Sequence, residues 1–337
     1  MATIKDVAKL AGVSVSTVSR VLNASGYVEK NTEAKVMAAI KQLNYQPSQI
    51  ARGLVSKKTK TFGLILPDIT NPFFPELARG AEDEAGKQGY NIMLCNSDWD
   101  VAKEKMYLNL LSEKRVDGII LVGSRMHEQY LAPWINDAAP VVLLDRTSQL
   151  DIHSICTNNK LGGFLATKHL LEQNYRRIAH ITGPATSPSA QQRLLGYQKA
   201  LEEYGLSLDM TLVCEGDFRI SGGATGMRRL LSLKNVPDAV FCGNDLMAVG
   251  ALEVLQEAGL KVPEDIALVG YDGIDLSKYV HPKLTTVIQP TYEMGVMAVQ
   301  LIIESLTGQN TVYRHLELDP ILKVRDSSIR RKTIDNS

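Results

Sequence analysis

Between Ile4 and Leu43 the apolar residues recur at helical spacing. Ile4, Val7, Ala8 and Ala11 form one stripe, which Gly12 interrupts. Ser14 is placed to cap a second helix with apolar positions Val15, Val18, Val21 and Leu22, and Thr32 a third with Val36, Ala39, Ile40 and Leu43. No strand-like alternation interrupts these stripes. Residues 47–61, PSQIARGLVSKKTKT, are broken by Pro47 and Gly53 and end basic, which marks a linker with at most a short helix over 48–55. From Phe62 the rhythm becomes strand, loop, helix. Apolar runs at 62–66, 91–95, 118–122, 141–144, 178–182, 211–214, 239–242 and 266–270 read as short buried strands, with amphipathic stretches between most of them.

This pattern predicts an all-α helix-turn-helix unit over residues 1–46, a hinge and linker over 47–61, and an α/β core over 62–330. Four strands precede residue 160 and four follow. The core is therefore read as two lobes, each with its own parallel sheet: lobe one about 62–160 plus 291–320, lobe two about 161–290 plus 321–330.

Charge sharpens the division. Lys plus Arg and Asp plus Glu are both 37, so the chain is formally neutral. Residues 1–60 nevertheless carry eight Lys and two Arg against Asp6, Glu29 and Glu33, or +7, leaving −7 on the remainder. A small basic head on an acidic body points to a nucleic-acid module. No apolar run approaches a membrane span, and MATIKDVAKLAGVSVS lacks a secretory h-region. Cys95, Cys156, Cys214 and Cys242 are scattered and form no CxxC, as expected of reduced thiols in a cytoplasmic protein.

A tight turn at Gly12-Val13-Ser14 joins the first two helices into a helix-turn-helix. Its second helix exposes Val15, Ser16, Thr17, Ser19 and Arg20 near its N-terminal half, where a recognition helix meets the major groove. Arg donates two bonds to guanine, Ser and Thr bond bases or phosphate, and Val touches a thymine methyl. Thr3, Ser14 and Asn23 are counted on the same DNA-facing surface.

The segments IKDVAKLAGVSVSTVSRVLN and LNYQPSQIARGL resemble the N-terminus of the lactose/galactose-repressor family, and the similarity covers the whole chain. It implies that Val15, Ser16 and Arg20 occupy base-reading positions. It also implies a hinge helix over about 48–55 that folds only on operator DNA. Leu54 would then be the minor-groove wedge, with Ala51 and Arg52 lining the groove and phosphates.

The core supplies a second set of candidates. In open α/β sheets ligands sit beyond the carboxyl ends of strands. Those positions hold Asn71, Phe73 and Phe74, then Asp145 and Arg146, then Arg193, Phe218, Asn244, Tyr271 and Asp272. Carboxylates and Asn bridge hydroxyls, Arg donates to oxygen, and aromatic faces cover C–H surfaces, which together suit a neutral polyol. The set, with Gln289, is similar to the site of pentose-binding periplasmic proteins, with Tyr271 where those carry Phe. The chain most resembles ribose-operon repressors, which implies ribose or a close pentose as effector.

Other chemistry is unsupported. SGGATG at 221–226 is neither a dinucleotide nor a phosphate loop and reads as a helix start. The six His show no metal spacing, no nucleophile is paired with a base, and Asp98 and Asp100, near Trp99, read as loop surface. The expectation is a homodimeric, DNA-binding repressor of duplex operator, with a small sugar effector, no cofactor, no metal, no membrane partner and no catalysis. A sugar-binding protein without DNA activity, an enzyme acting on a sugar, and a catabolite regulator using a phosphorylated protein corepressor are the competing readings.

Overall fold

The computed structural model describes residues 2–23, 26–45, 58–126, 128–135, 139–146, 148, 150–308 and 312–330. The chain divides into two compact units, Met1–Lys60 and Thr61–Ser337. Ala51, Arg52, Leu54 and the expected hinge helix lie outside the described residues.

The first unit packs α1 (Ile4–Ala11), α2 (Val15–Asn23) and α3 (Lys30–Gln42). Thr3 and Asp6 close a reciprocal cap: Asp6 N–H donates to Thr3 Oγ1 at 3.3 Å, and Thr3 N–H to Asp6 Oδ2 at 2.8 Å. Gly12 ends α1 with φ +68°, a left-handed turn in which only glycine is unstrained. Ser14 caps α2, accepting Thr17 N–H at 3.1 Å. The third helix departs from expectation. It starts at Lys30, with Glu29 in the cap position and no side-chain cap bond. Thr32 is inside the helix, because Glu29 C=O already accepts Glu33 N–H at 2.9 Å. Val7, Val18 and Val36 are fully buried and join the three helices.

The second unit contains β1 (Thr61–Leu66), α4 (Phe73–Lys87), β2 (Asn91–Asn96), α5 (Val101–Glu113), β3 (Gly118–Val122), α6 (Ala132–Ile135), β4 (Val141–Leu144) and β5 (His153–Thr157). It continues with α7 (Asn159–Glu172), β6 (Ile178–Thr182), α8 (Pro188–Glu203), β7 (Val213–Glu215), α9 (Ile220–Leu231), β8 (Ala239–Cys242), α10 (Asp245–Glu257) and β9 (Ala267–Asp272). It ends with β10 (Thr285–Ile288), α11 (Thr291–Thr307), β11 (His315–Leu318) and β12 (Ile321–Lys323).

These elements form two sheets of six strands, ordered β11-β5-β4-β3-β1-β2 and β12-β10-β9-β8-β6-β7. All pairings are parallel except that of β12 with β10. The chain crosses between sheets near 158, 290 and 320. Helices cover both faces of each sheet, with cores centred on Phe62, Leu64 and Ile302 in one lobe and on Val240, Leu268 and Leu255 in the other. All four cysteines are free and buried.

Four of these strands, β5, β10, β11 and β12, were not expected from apolar runs. Polar residues explain the first two. His153 and Ser154 in β5 and Thr285 and Thr286 in β10 are buried because hydrogen bonds satisfy them. The run at 211–214 is a 3₁₀ turn over Met210–Leu212 followed by β7.

One close approach positions the ligand side. A Cβ at Gly163 of α7 would lie 2.2 Å from Arg193 O, so glycine there lets α8 carry Arg193 against α7.

Candidate functional site

On the first unit, Thr3, Ser14, Val15, Ser16 and Arg20 are exposed, while Thr17 and Ser19 are half-buried. Val15 shares the helical stripe of α2 yet is 41% exposed, so the core does not use it. Ser14 Oγ lies 2.7 Å from Ser16 Oγ and 2.8 Å from Thr17 Oγ1, which ties these hydroxyls into the cap at the start of α2. Asn23 is the last residue of α2. The exposed row runs along the first turns of one helix, which suits a groove-reading surface.

In the second unit, parallel strands deliver their carboxyl-end loops to one edge of each sheet. A cleft opens there, lined by Asn71, Phe73, Phe74, Trp99 and Asp145 from one lobe and by Ser189, Arg193, Phe218, Asn244 and Asp272 from the other, with Gln289 at a crossover. Phe73 meets Phe74 edge-on at 5.1 Å, and Phe74 meets Trp99 edge-on at 5.9 Å. At the mouth Arg219 pairs with Asp68 at 3.3 Å, joining the lobes.

Arg193 is 3% exposed. It donates from Nε to Asn159 Oδ1 at 2.8 Å and from Nη1 to Gly243 O at 2.5 Å, and stands 3.8 Å from Asp272 Oδ1. Its guanidinium lies 3.7 Å over the Tyr271 ring. Gln289 Nε2 donates to Asp272 Oδ1 at 2.8 Å. Asn244 caps α10 through Oδ1 and donates from Nδ2 to Phe218 O at 2.9 Å. Asn71 accepts Phe73 N–H at 3.1 Å.

Two oxygens are left over. Asp145 Oδ1 and Gln289 Oε1 are shielded from water and accept no hydrogen bond. Such orphans cost about 1–3 kcal/mol each and call for donors from outside the protein. Loss of hydration pushes Asp145 up to about 6, against the pull of Arg193. Burial pushes Asp272 up to about 7, again opposed by Arg193 and by the Gln289 hydrogen bond. The cleft thus holds one guanidinium, two poorly hydrated carboxyls and an amide oxygen, with aromatic walls.

The sequence-derived set is not uniform in placement. Arg146 does not line the cleft. Its Nη1 donates to Ser124 O at 3.0 Å and Met126 O at 2.6 Å, and these carbonyls turn it into a neighbouring chamber. Tyr271 does not line it either. β9 runs to Asp272, so Tyr271 is inside the sheet, fully buried, and supports Arg193 from behind. Trp99 and Ser189 were missed. Trp99 follows β2 by three residues and belongs to the same carboxyl-edge rule; its neighbours Asp98 and Asp100 are engaged with Lys103 and the α5 cap. Ser189 lies one helical turn before Arg193 and shares its face.

Among the described residues no cluster of His, Cys, Asp and Glu could hold a metal, and no helix is long and apolar enough to cross a membrane.

Residues 3–48 match the family of bacterial regulatory proteins known as the lacI family, and residues 167–328 match a periplasmic binding protein-like domain. The chain is 42% identical to the ribose operon repressor of Escherichia coli, over 97% of this chain and 100% of that protein. It is 40% identical to the HTH-type transcriptional repressor PurR of Aliivibrio salmonicida, over 97% and 99%. It is similar to the lac repressor dimer bound to operator and the anti-inducer ONPF, at 30% identity and TM-score 0.89, over 97% and 99%. It is also similar to a LacI family regulator from Enterococcus faecium with bound ribose, at 32% identity and TM-score 0.74, over 81% and 100%. The chain belongs to the lacI family of bacterial regulatory proteins, and it is a transcriptional repressor, not an enzyme.

Proposed function

We propose that this repressor binds a pseudo-palindromic operator as a homodimer and is released by a pentose of the ribose type, so that it controls uptake and catabolism of that sugar. The observation that carries the ligand reading is the pair of orphaned oxygens, Asp145 Oδ1 and Gln289 Oε1, on residues that line an aromatic-walled cleft together with Arg193 and Asp272. Acceptors without donors beside a guanidinium match a compact ring of hydroxyls, which both donates and accepts. The ribose operon repressor and the ribose-bound regulator support the choice of sugar.

Thr3, Ser14, Val15, Ser16, Thr17, Ser19, Arg20 and Asn23 form the groove-reading surface in this reading, with Ala51, Arg52 and Leu54 in the minor groove. One such head reads too few base pairs for genomic selectivity, so two act together. The dimer face proposed is the groove lined by Pro75, Ala78, Arg79, Glu82, Asp83, Ile92 and Leu94. It runs beside β2, an unpaired sheet edge whose Leu94 is 41% exposed, and α4 offers Arg79 beside Glu82 and Asp83 for charge pairing with a second copy.

The test is a gel-shift titration of operator fragments with and without pentoses, hexoses and their phosphates. Release by ribose, and not by hexoses, is expected. Absence of sequence-selective duplex binding under all conditions refutes the whole reading.

A further inference from the structure

Asp245 is the first residue of α10, directly after Asn244. It is fully buried and does not line the cleft. Its partners come from two other segments. The pairing of β9 with β10 ends where Asp272 registers with Ile288. The next two backbone N–H groups, of Gly273 and Ile274, both donate to Asp245 Oδ2 at 2.9 Å. Thr286 of β10 donates to Asp245 Oδ1 at 2.6 Å. Gly270 keeps room for the carboxyl, since a Cβ there would lie 2.2 Å from Oδ1. Between the end of the ladder and these bonds the chain is strained: Asp272 has φ +103° and Gly273 φ +77°. Such a conformation at a residue other than glycine persists only where the surrounding structure over-determines it.

We propose that Asp245 is a positioning residue for the effector: by holding the two N–H groups that follow Asp272, it fixes the turn that aims the Asp272 carboxyl into the cleft. Gln289 Nε2 at 2.8 Å and Arg193 at 3.8 Å act on the Asp272 side chain, whereas the backbone just beyond it is tied to Asp245. Asn244 adjoins Asp245 on α10, so the same bonds set Asn244 and Asp272 relative to one another. Burial, with the Asp272 charge beside it, pushes the Asp245 carboxyl well above the usual range. The cradle serves a neutral acid equally, because a protonated Oδ1 donates to Thr286 Oγ1, which then turns to Val287 O at 3.5 Å. The turn needs an acceptor at Oδ2 and not a charge. This inference rests on the reading of Asp272 as a ligand of the sugar.

The experiment is calorimetric titration of the full chain with D-ribose at pH 8, on the wild type, Asp245→Ala, Asp245→Asn, Asp272→Ala and the variant carrying both alanines, each with a thermal melt and an operator gel shift. Asp245→Ala should weaken ribose binding about tenfold or more and leave operator affinity without sugar unchanged. Asp245→Asn should restore ribose binding to within about threefold of the wild type, because its Oδ1 accepts both N–H groups and its Nδ2 faces Thr286 Oγ1. On top of Asp272→Ala, Asp245→Ala should cost less than about a further twofold, since its effect runs through Asp272; a general loss of packing would add in full. Asp245→Ser, too short to reach the two N–H groups, carries the same cycle if the alanine variant does not fold, and the asparagine rescue decides if Asp272→Ala binds too weakly to measure. Unaltered ribose affinity in Asp245→Ala, an asparagine variant as weak as the alanine one, or additive losses overturn the positioning role and leave the pentose reading standing. No ribose binding by the wild type, or full binding by Asp272→Ala, overturns both.

Discussion

Effector affinity should depend on pH near neutrality, with a sign and size set by two carboxyls. Burial pushes Asp272 up to about 7 and Asp145 up to about 6. A sugar hydroxyl donates to an ionised carboxylate, so bound sugar holds both groups charged and protons compete with it. Affinity is therefore complete above about pH 8 and is lost as pH falls through 7 and then 6. If only the doubly ionised cleft binds, Kd rises by (1 + 10^(7−pH))(1 + 10^(6−pH)), which is about 20-fold between pH 8 and pH 6, or about 1.8 kcal/mol. At pH 7 the same scheme releases about 0.6 proton per sugar bound.

The assay is titration calorimetry from pH 8 to 6 in paired buffers of different ionisation enthalpy, which reads affinity and proton number together. The lower limit is set by His180. It is fully buried, with Nδ1 2.9 Å from Phe241 O and an unpartnered Nε2, and burial holds its pKa down to about 4. A neutral buried His binds fewer protons folded than unfolded. It removes about 3 kcal/mol of stability as pH falls from 6.5 through 4, so below pH 6 unfolding would mix with weakened binding. Asp272→Asn should cut the pH dependence between 8 and 6 to about twofold, the part left to Asp145. A flat affinity, or proton uptake on binding, refutes the reasoning.

Three further outcomes are expected. Arg193→Ala leaves Asp272 buried without its cation and should weaken sugar binding by about 100-fold or more while the repressor still holds operator; calorimetry and gel shift read the two separately. Leu94→Lys places a charge on the proposed dimer face and should yield monomers at micromolar concentration in analytical ultracentrifugation, with weakened operator binding. Leu54→Ala should lower operator affinity about tenfold and reduce DNA bending in a circular-permutation gel, with sugar affinity unchanged; unaltered operator affinity would remove the wedge.

Much of the fold was legible because β1, β3, β4, β6 and β8 are short apolar runs between amphipathic helices. β5 and β10 were hidden because their buried side chains are polar and their partners are remote. Ser154 reaches His315, and Thr286 donates to Asp245 at 2.6 Å, contacts that no local pattern announces. The cleft was legible by position, since its residues follow strand ends. What position could not fix was direction. Arg146 follows Asp145, yet carbonyls at Ser124 and Met126 draw it away. Tyr271 precedes Asp272 by one residue, and alternation along a strand sends the two to opposite sides. The cap of α3 failed for a different reason: Thr32 and Glu29 both fit the start of the same apolar stripe, and the backbone bond from Glu33 decides between them.

Strain and unmet hydrogen bonds coincide at the cleft. Among the described residues nine that are not glycine have positive φ, and Trp99, Asp145, Phe218 and Asp272, four of these, line the cleft. A bulky residue there costs on the order of 1 kcal/mol or more, and the two orphaned oxygens add roughly 2–6 kcal/mol between them. The Arg219–Asp68 pair cannot offset this, because Arg219 is 61% exposed and water screens it. The arrangement is thus held by the packing of the two lobes against an internal cost. A ligand that supplies the missing donors removes part of that cost only when both lobes contact it at once. Differential affinity of this kind is what couples a binding site to a conformational equilibrium, and the cost of the orphaned oxygens is of the same order as the 1–3 kcal/mol typical of such coupling.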